Sequence, residues 1–478
     1  MSGYTTLNKK NDLSKYYRSD RNMSVYIKHL EAKGIYGIFD INLDFHQGVN
    51  VLFAKNGKGK TTLLHIIANL LNEDYERFAF IDFDYINLRM SDKNQVELKN
   101  NRNDEEIILS LDGVETKKII FKRTKEINTK LFPIISEVAS TVADLCNNIP
   151  DKSLEEQSIT AALSAAAKVP INYNILNQSS EQKLITAAYF PAFRSMIEAW
   201  ASTEEKSGKL RDASDEKKQQ QKTNFARQIF GEFVPLLNYP SVIEIEQALN
   251  KEISQAFYQL NQAQQKYLGN ILPQIFNTLS KNSKPVEEDS NSILEEIKQL
   301  NNELKFQMLE DLRTAVESFQ ADEKSKETAA KILITYREAL QKISDEQKTY
   351  FQNIEKYLAA VNSFLDSKEI EIIFKNLPIL GINFQNGMPA IPGISKALSS
   401  GERQILTMIY AASQMSEQNI VLIDEPEISL HVDWQRKLLE KISQQLGEKQ
   451  IIACTHSPVV GADYEDEIII LEPKIIQN

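Results

Sequence analysis

The sequence predicts an α/β fold that is split by a long helical, coiled-coil-like insertion and carries an antiparallel β-arm. Three observations lead to this prediction. Near the N-terminus, short apolar runs end at a Gly/Lys-rich loop, and a helical pattern follows at once. The middle of the chain is rich in Glu, Gln, Lys, Ala and Leu and has almost no glycine, which is typical of helices. Near the C-terminus helical and strand-like patterns alternate again, so one head is expected to form from two distant parts of the chain.

These patterns divide the chain into four predicted segments. They are a flexible N-terminal arm, the first part of the head, the helical insertion and the second part of the head, at residues 1–22, 23–200, 201–367 and 368–478. The arm is polar and lacks periodicity, so it is either disordered or binds a partner. Strand-like runs predict the β-arm, at residues 77–90, 105–113 and 116–124. In the insertion, apolar residues spaced by three and four from Ile293 to Phe319 indicate one helix face.

The composition excludes several classes of protein. With 42% hydrophobic and 25% charged residues among 478, the chain is expected to form a packed protein of more than one domain. No apolar run approaches the roughly 20 residues that a membrane span requires, so a cytoplasmic protein without membrane contact is expected. The two cysteines, Cys146 and Cys454, predict neither a disulfide framework nor a zinc site. The net charge of -11 argues against unspecific DNA binding by the whole surface.

A phosphate-binding loop is predicted where the apolar run of residues 48–54 meets the first helix. The residues expected to surround the phosphates are Asn56, Gly57, Lys58, Gly59, Lys60, Thr61 and Thr62. Glycines let backbone N–H groups close around phosphates at the positive end of a helix, while Lys60 reaches their oxygens and Thr61 ligates Mg²⁺. Ala54 replaces the first glycine of the G-x-x-x-x-G-K-[ST] pattern, and a methyl group is tolerated there if φ stays negative. The alternative is a chance Gly/Lys turn.

A pair of acidic residues follows the apolar run of residues 420–423. Asp424 is placed to hold Mg²⁺, and Glu425 is placed to polarise an attacking water as a general base. An apolar run followed by two acids is common by itself. In a chain that also has a phosphate-binding loop, it is the expected second element of a nucleotide site.

Two further motifs complete the pattern, namely residues 398–402 (LSSGE) and His456 within a Thr-His-Ser run. With four motifs in this order the sequence resembles the ABC ATPase superfamily, and its LSSGE is similar to the L-S-G-G-Q signature of that superfamily. The resemblance implies an ABC-type P-loop ATPase head that uses ATP and Mg²⁺. It also implies that Ser399 and Gly401, with Glu402 beside them, contact ATP bound to the opposite protomer, and that His456 is a catalytic switch residue. The active unit is then at least a homodimer.

Two other stretches indicate a branch of this superfamily. Residues 424–435 (DEPEISLHVDWQ) resemble the branch of RecF and the overcoming-lysogenization-defect nucleases, and residues 189–194 (YFPAFR) are similar to a stretch in ATPase subunits of anti-phage systems such as Septu and PARIS. The resemblance implies that the ATP state controls a separate nuclease subunit of HNH or Toprim type, and it permits a hexamer of three dimers. Arg194 is expected to face the nucleotide or the root of the insertion, with a surface ion pair as the alternative.

Other functions stay open at this point. The basic residues between Lys117 and Lys130 are compatible with DNA contact, although a solvated strand face is the more frequent explanation. One alternative is therefore a RecF-like or SMC-like DNA repair ATPase. Because Ala54 departs from the loop pattern, a second alternative is a nucleotide-locked scaffold with little turnover. The insertion and the segment 424–435 argue against a transporter head.

Overall fold

The computed structural model describes residues 25–101, 106–120, 186–200, 215–280, 289–304 and 326–476, apart from a few single positions inside these ranges. The predicted N-terminal arm, residues 1–22, lies outside the described residues, and so does Cys146.

The strands and helices follow the chain in the predicted pattern. The strands are β1 Ile27–Ile35, β2 Phe39–Asp44, β3 Val49–Phe53, β4 Tyr85–Met90, β5 Gln95–Asn101, β6 Glu106–Leu111, β7 Val114–Ile120, β8 Ala187–Phe190, β9 Lys368–Ile373, β10 Ile379–Phe384, β11 Ile391–Pro392, β12 Ile420–Asp424, β13 Gln450–Thr455, β14 Ile468–Ile470 and β15 Lys474–Ile475. The helices are α1 Lys60–Leu71, α2 Asp215–Phe230, α3 Val242–Gly269, α4 Ile271–Ser280, α5 Ser290–Glu303, α6 Lys326–Asn362, α7 Ser400–Ala412 and α8 Val432–Gln445.

The centre of the head is a five-stranded parallel sheet with the strand order β14-β3-β13-β12-β8. Strands β12 and β13 are buried along their whole length, as expected of parallel strands that are covered on both faces. Strands β3 and β8 come from the first part of the chain, and the other three come from the second part. The prediction of an α/β head that is split by a helical insertion is therefore confirmed.

A seven-stranded antiparallel sheet, in the order β15-β2-β1-β4-β5-β6-β7, forms a second layer of the head. The predicted β-arm is the outer half of this sheet, because β4 to β7 form a meander that pairs with β1 through β4. Two details differ from the prediction. Residues 75–80 form a 3-10 helix instead of the start of a strand, with Phe78 fully buried. Strand β5 was also not predicted, because its sequence QVELKNN lacks a continuous apolar run.

The insertion is a bundle of helices that pack along α6, which has 37 residues and therefore spans about 55 Å. Helix α3 begins at Ser241 with a capping box and buries residues spaced by four, including Ile245, Leu249 and Ile253. The single helix face predicted from Ile293 to Phe319 is interrupted at Leu304, and Leu312 and Phe319 lie outside the described residues. Helix α5 ends at Glu303 because the backbone of the next residue is extended.

The root of the insertion packs against both parts of the head. On one side, the amide of Asn69 on α1 donates to the carbonyl of Phe233, just after α2. On the other side, the Tyr357 hydroxyl of α6 donates to the carbonyl of Leu406 on α7. The apolar side chains of the head and of the insertion root form one continuous core. The insertion is thus in direct contact with α1 and α7, the two helices that carry predicted site residues at their N-termini.

None of the helices in the described part of the chain combines the length and the apolar character that crossing a membrane requires.

Candidate nucleotide-binding site

The loop between β3 and α1 has the backbone of a phosphate-binding loop. Gly57 and Gly59 have φ of 76° and 83°, a left-handed conformation that other L-residues rarely adopt. A Cβ on either glycine would meet open space, so the backbone conformation and not packing requires glycine here. No side chain of the described residues caps the N-terminus of α1. Its first N–H groups are therefore available to an anion at the positive end of the helix.

Lys60 folds back over this loop. Its side chain is buried, and its Nζ donates to the carbonyl of Ala54 at 3.0 Å and lies 3.5 Å from Oδ1 of Asn56. Ala54 meets the condition set by the sequence, because it is not among the described non-glycine residues with positive φ. The departure from the glycine pattern at Ala54 therefore strains neither the backbone nor the loop.

Asp424 lies beside the first turn of α1. Its Oδ2 accepts a hydrogen bond from the Thr61 hydroxyl at 2.7 Å, while its Oδ1 is buried and has no hydrogen-bond partner among the described residues. Burial raises the pKa of Asp424 to about 6, although the Thr61 hydroxyl and the Lys60 charge act in the opposite direction. A buried carboxylate oxygen without a partner, next to a hydroxyl, suits a hard cation such as Mg²⁺. The donor set therefore fits the predicted metal.

Glu425 and His456 approach each other at the same edge of the parallel sheet. Nδ1 of His456 lies 3.7 Å from Oε1 of Glu425, and both side chains are partly exposed. They meet because β12 and β13 are parallel neighbours, so the residues that follow both strands emerge together. Glu425 has φ of +46°, a conformation uncommon for a residue with a side chain.

Glu427 is a site residue to which the sequence analysis assigned no role. Its buried Oε1 accepts from the Thr455 hydroxyl at 2.7 Å and from the N–H groups of His456 and Ser457 at 3.2 and 3.3 Å. Nδ1 of His456 also lies 3.2 Å from this oxygen. One carboxylate thus fixes the loop that presents His456. The signal available in the sequence was a further acid two positions after Glu425, between Pro426 and Ile428.

Ser399 and Glu402 form a capping box at the N-terminus of α7. The Glu402 carboxylate accepts from the N–H of Ser399 at 2.6 Å and pairs with Lys368 at 2.8 Å. Burial raises the pKa of Glu402, but the hydrogen bonds from Lys368 and Ser399 outweigh it, so its pKa is lowered. The acid that replaces the signature glutamine is therefore ionised and engaged within its own chain.

Gly401 is required by close packing. A Cβ at this position would lie 2.9 Å from the backbone oxygen of Ser429, which belongs to the segment between β12 and α8. The start of α7 is thereby held against the segment that follows Glu425.

Arg194 does not face the solvent. Its side chain is fully buried between β12 and α7, and its guanidinium donates to the carbonyl of Asp424 and to Oε1 of Gln404. The alternative of a surface ion pair is wrong. The basic stretch that raised the question of DNA contact lies outside the described side chains, since those of Lys117 to Lys130 are not described.

A family model described as an AAA ATPase domain matches residues 26–460. The chain belongs to this family. One relative of this AAA ATPase domain protein is the "Retron Ec83 probable ATPase" of Escherichia coli, which is 26% identical over 160 residues. That match covers 29% of this chain and 28% of the relative, so the chain spans well under two thirds of the relative's length.

Solved structures also resemble this AAA ATPase domain protein at a low level. The Smc head domain with an extended coiled coil, bound to the C-terminal domain of ScpA and derived from Pyrococcus furiosus, is 13% identical with a TM-score of 0.38. The match covers 95% of this chain and 96% of that one. The recombination mediator protein RecF is 12% identical with a TM-score of 0.31, and the match covers 95% of this chain and 99% of RecF.

Proposed function

We propose that this AAA ATPase domain protein binds ATP with Mg²⁺ and hydrolyses it. The observation that carries the proposal is the buried Oδ1 of Asp424, without a partner among the described residues, beside the Thr61 hydroxyl and the glycine loop. Thr61 and Asp424 would hold the metal ion, and the loop from Asn56 to Thr62 would hold the phosphates. When bound, Mg²⁺ supplies positive charge that stabilises the phosphate oxygens during transfer.

In this proposal Lys60, Glu425 and His456 have separate roles. Lys60 leaves the carbonyl of Ala54 and binds phosphate oxygens, and the N–H groups at the start of α1 bind the same anion. Glu425, partly exposed at the edge of the sheet, accepts the proton of the attacking water. His456, held by Glu427, lies within reach of the same reacting centre and senses the terminal phosphate.

A Glu425→Gln variant tests the base role. The amide keeps the size of the side chain but cannot accept the proton, so turnover is expected to fall by about 100-fold or more while ATP still binds. The measurement is phosphate release under saturating ATP, together with the Kd for a fluorescent ATP analogue. A variant with wild-type turnover would remove Glu425 from this role.

We further propose that the complete site is shared between two chains arranged head to tail. Ser399 is exposed at the N-terminus of α7, where its hydroxyl and the helix end can approach a phosphate bound by another copy. In such a dimer, a Lys60→Ala chain and a Ser399→Asp chain each form dead homodimers. Their heterodimer still contains one intact site, formed by the loop of the second chain and the signature of the first.

Mixing the two variants therefore distinguishes a shared site from one within a single chain. Each variant alone is expected to be inactive, and an equal mixture is expected to regain roughly one quarter of wild-type turnover, since half of the dimers carry one of two sites. Aspartate keeps the helix cap, so the loss reports charge repulsion with phosphate and not unfolding. Ser399→Asn, which caps without charge, is the matched control. A mixture as inactive as its components would refute the shared site.

We propose that in the cell this ATPase regulates a separate nuclease of HNH or Toprim type in anti-phage defence. The proposed assembly is a dimer or a hexamer of three dimers. Support comes from the retron relative and from residues 189–194, which resemble a stretch in ATPase subunits of anti-phage systems such as Septu and PARIS. Phage plaque counts on cells that carry the chain with its neighbouring genes test this role. Protection that disappears with Glu425→Gln supports it, and protection that is absent in the wild type contradicts it.

A further inference from the structure

Arg194 binds three successive backbone carbonyls at the end of β12. Its Nη1 donates to the carbonyl of Asp424 at 3.1 Å, and its Nη2 lies 3.3 and 3.4 Å from the carbonyls of Glu425 and Pro426. The same guanidinium donates to the carbonyl of Pro191 and to Oε1 of Gln404. Arg194 has no exposed surface, so water does not compete for these acceptors.

The three carbonyls belong to a strained turn. Glu425 has φ of +46°, and a left-handed backbone is unfavourable at a residue with a side chain. Such a conformation persists only where surrounding contacts enforce it. Apart from the guanidinium, the N–H of Glu425 donates to the carbonyl of Cys454 at 2.8 Å, which fixes one end of the turn. Arg194 fixes the carbonyl side together with the N–H of Ile428, which donates to the carbonyl of Glu425 at 3.2 Å.

The shape of the guanidinium explains why this position holds arginine. Its five N–H donors lie in one plane and can serve several carbonyls at once, whereas an ammonium has three donors on a flexible stem. Lysine at position 194 would keep the positive charge but could not reach all the acceptors from β12 and α7 together.

The acceptor on α7 links this turn to the signature. Gln404 lies one turn after Ser399 and Gly401, and its amide nitrogen donates to the hydroxyl of Ser195, the neighbour of Arg194. The side chain of Gln404 is fully buried, so it is held between the two partners. A displacement of α7 would therefore move the guanidinium that binds the backbone carbonyl of Glu425.

We infer that Arg194 is a positioning residue for Glu425, which it holds in the left-handed turn and connects to the signature helix through Gln404. The inference rests on the proposed ATP hydrolysis. It assigns Arg194 no contact with the nucleotide, so its loss is expected to lower kcat and to leave ATP affinity nearly unchanged.

An Arg194→Lys variant tests this role. The expected result is a fall in kcat of about tenfold or more, equivalent to about 1.4 kcal/mol of transition-state stabilisation, with the Kd of a fluorescent ATP analogue within about threefold of wild type. In the Glu425→Gln background the same change is expected to add no further loss, because Arg194 acts through Glu425. The matched control is Arg227→Lys, another buried arginine that pairs with Asp74 and lies outside the site.

Several outcomes would overturn the inference. They are wild-type kcat in Arg194→Lys, an equal loss in the Glu425→Gln background, or a parallel loss of ATP affinity. If Arg194→Lys fails to fold by circular dichroism, Gln404→Met decides, since it removes the contacts of α7 to Arg194 and Ser195 but leaves the contacts of Arg194 to the backbone carbonyls intact. A reduced kcat with unchanged Kd supports the inference, and wild-type kcat overturns it. Failure of the proposed function has a different signature, namely no turnover in the wild type or full turnover in Glu425→Gln.

Discussion

Acidification is expected to destabilise the head through His65. This residue lies on α1, one turn after Thr61, and its Nε2 is 2.9 Å from the Tyr189 hydroxyl. Its ring also packs edge-on against Tyr189 and Phe233. Burial lowers the pKa of His65 to about 3 from its ordinary value of 6.5. The folded protein therefore keeps this imidazole neutral over a pH range in which the unfolded chain takes up a proton.

The sign and the size of the effect follow from this difference. The stability that neutral His65 contributes is fully present above pH 6.5 and is lost as the pH falls from 6.5 toward 3. Each pKa unit corresponds to about 1.4 kcal/mol, so lowering the pH from about 7.5 to about 5 costs about 2 kcal/mol of unfolding free energy. At about pH 3 the loss from this residue reaches about 4 kcal/mol, and the full loss of about 5 kcal/mol is reached only below that pH.

Urea unfolding followed by tryptophan fluorescence at about pH 7.5 and about pH 5 measures this effect. His65→Gln is expected to be less stable than wild type at the higher pH, but to lose about 2 kcal/mol less on acidification because the titrating group is gone. His46→Gln, at an exposed position, is the matched control and is expected to follow the wild type. An equal loss in wild type and His65→Gln would refute the reasoning.

Three further predictions concern the residues around the site. Gly401→Ala is expected to cost about 1–3 kcal/mol of stability and to lower turnover, since its Cβ would collide with the Ser429 carbonyl. Thermal unfolding measures the loss of stability, and Gly269→Ala, where a Cβ meets open space, is the control. Glu427→Gln should lower kcat by about tenfold by loosening the loop of His456, and single-turnover kinetics separate this from weaker binding. Glu246→Ala removes the acceptor of two N–H groups that precede the signature, so it should lower the free energy of unfolding by about 1–3 kcal/mol, measured by urea unfolding. Gln247→Ala, at the exposed neighbouring position, is the control and should leave the free energy of unfolding unchanged.

The part of the site that the sequence predicted is the part governed by local rules. The glycines of the loop, Lys60 and Asp424 follow strands with strong apolar patterns, and the carboxyl ends of parallel strands meet at one edge of the sheet. The approach of His456 to Glu425 follows from the same rule.

The residues that the sequence did not resolve act through contacts between distant parts of the chain. Arg194 contacts Gln404 and Asp424, which are more than 200 residues away in the sequence. The residues adjacent to Arg194 in the sequence do not indicate which carbonyls it binds. Glu402 occupies the place of a signature glutamine. Its partner Lys368 is the first residue of β9, a strand outside the parallel sheet of the head. Such pairings depend on tertiary packing, which local periodicity does not encode.

The contacts around α7 connect the insertion to the candidate catalytic base. The carboxylate of Glu246 on α3 accepts from the N–H groups of Ile394 and Ser395, which lead into the signature. From α7 the connection continues through Gln404 to Arg194 and on to the carbonyls after β12. Those last acceptors belong to the backbone, so Glu425→Gln leaves them in place. We therefore expect a displacement of the insertion to reach Glu425 through these contacts.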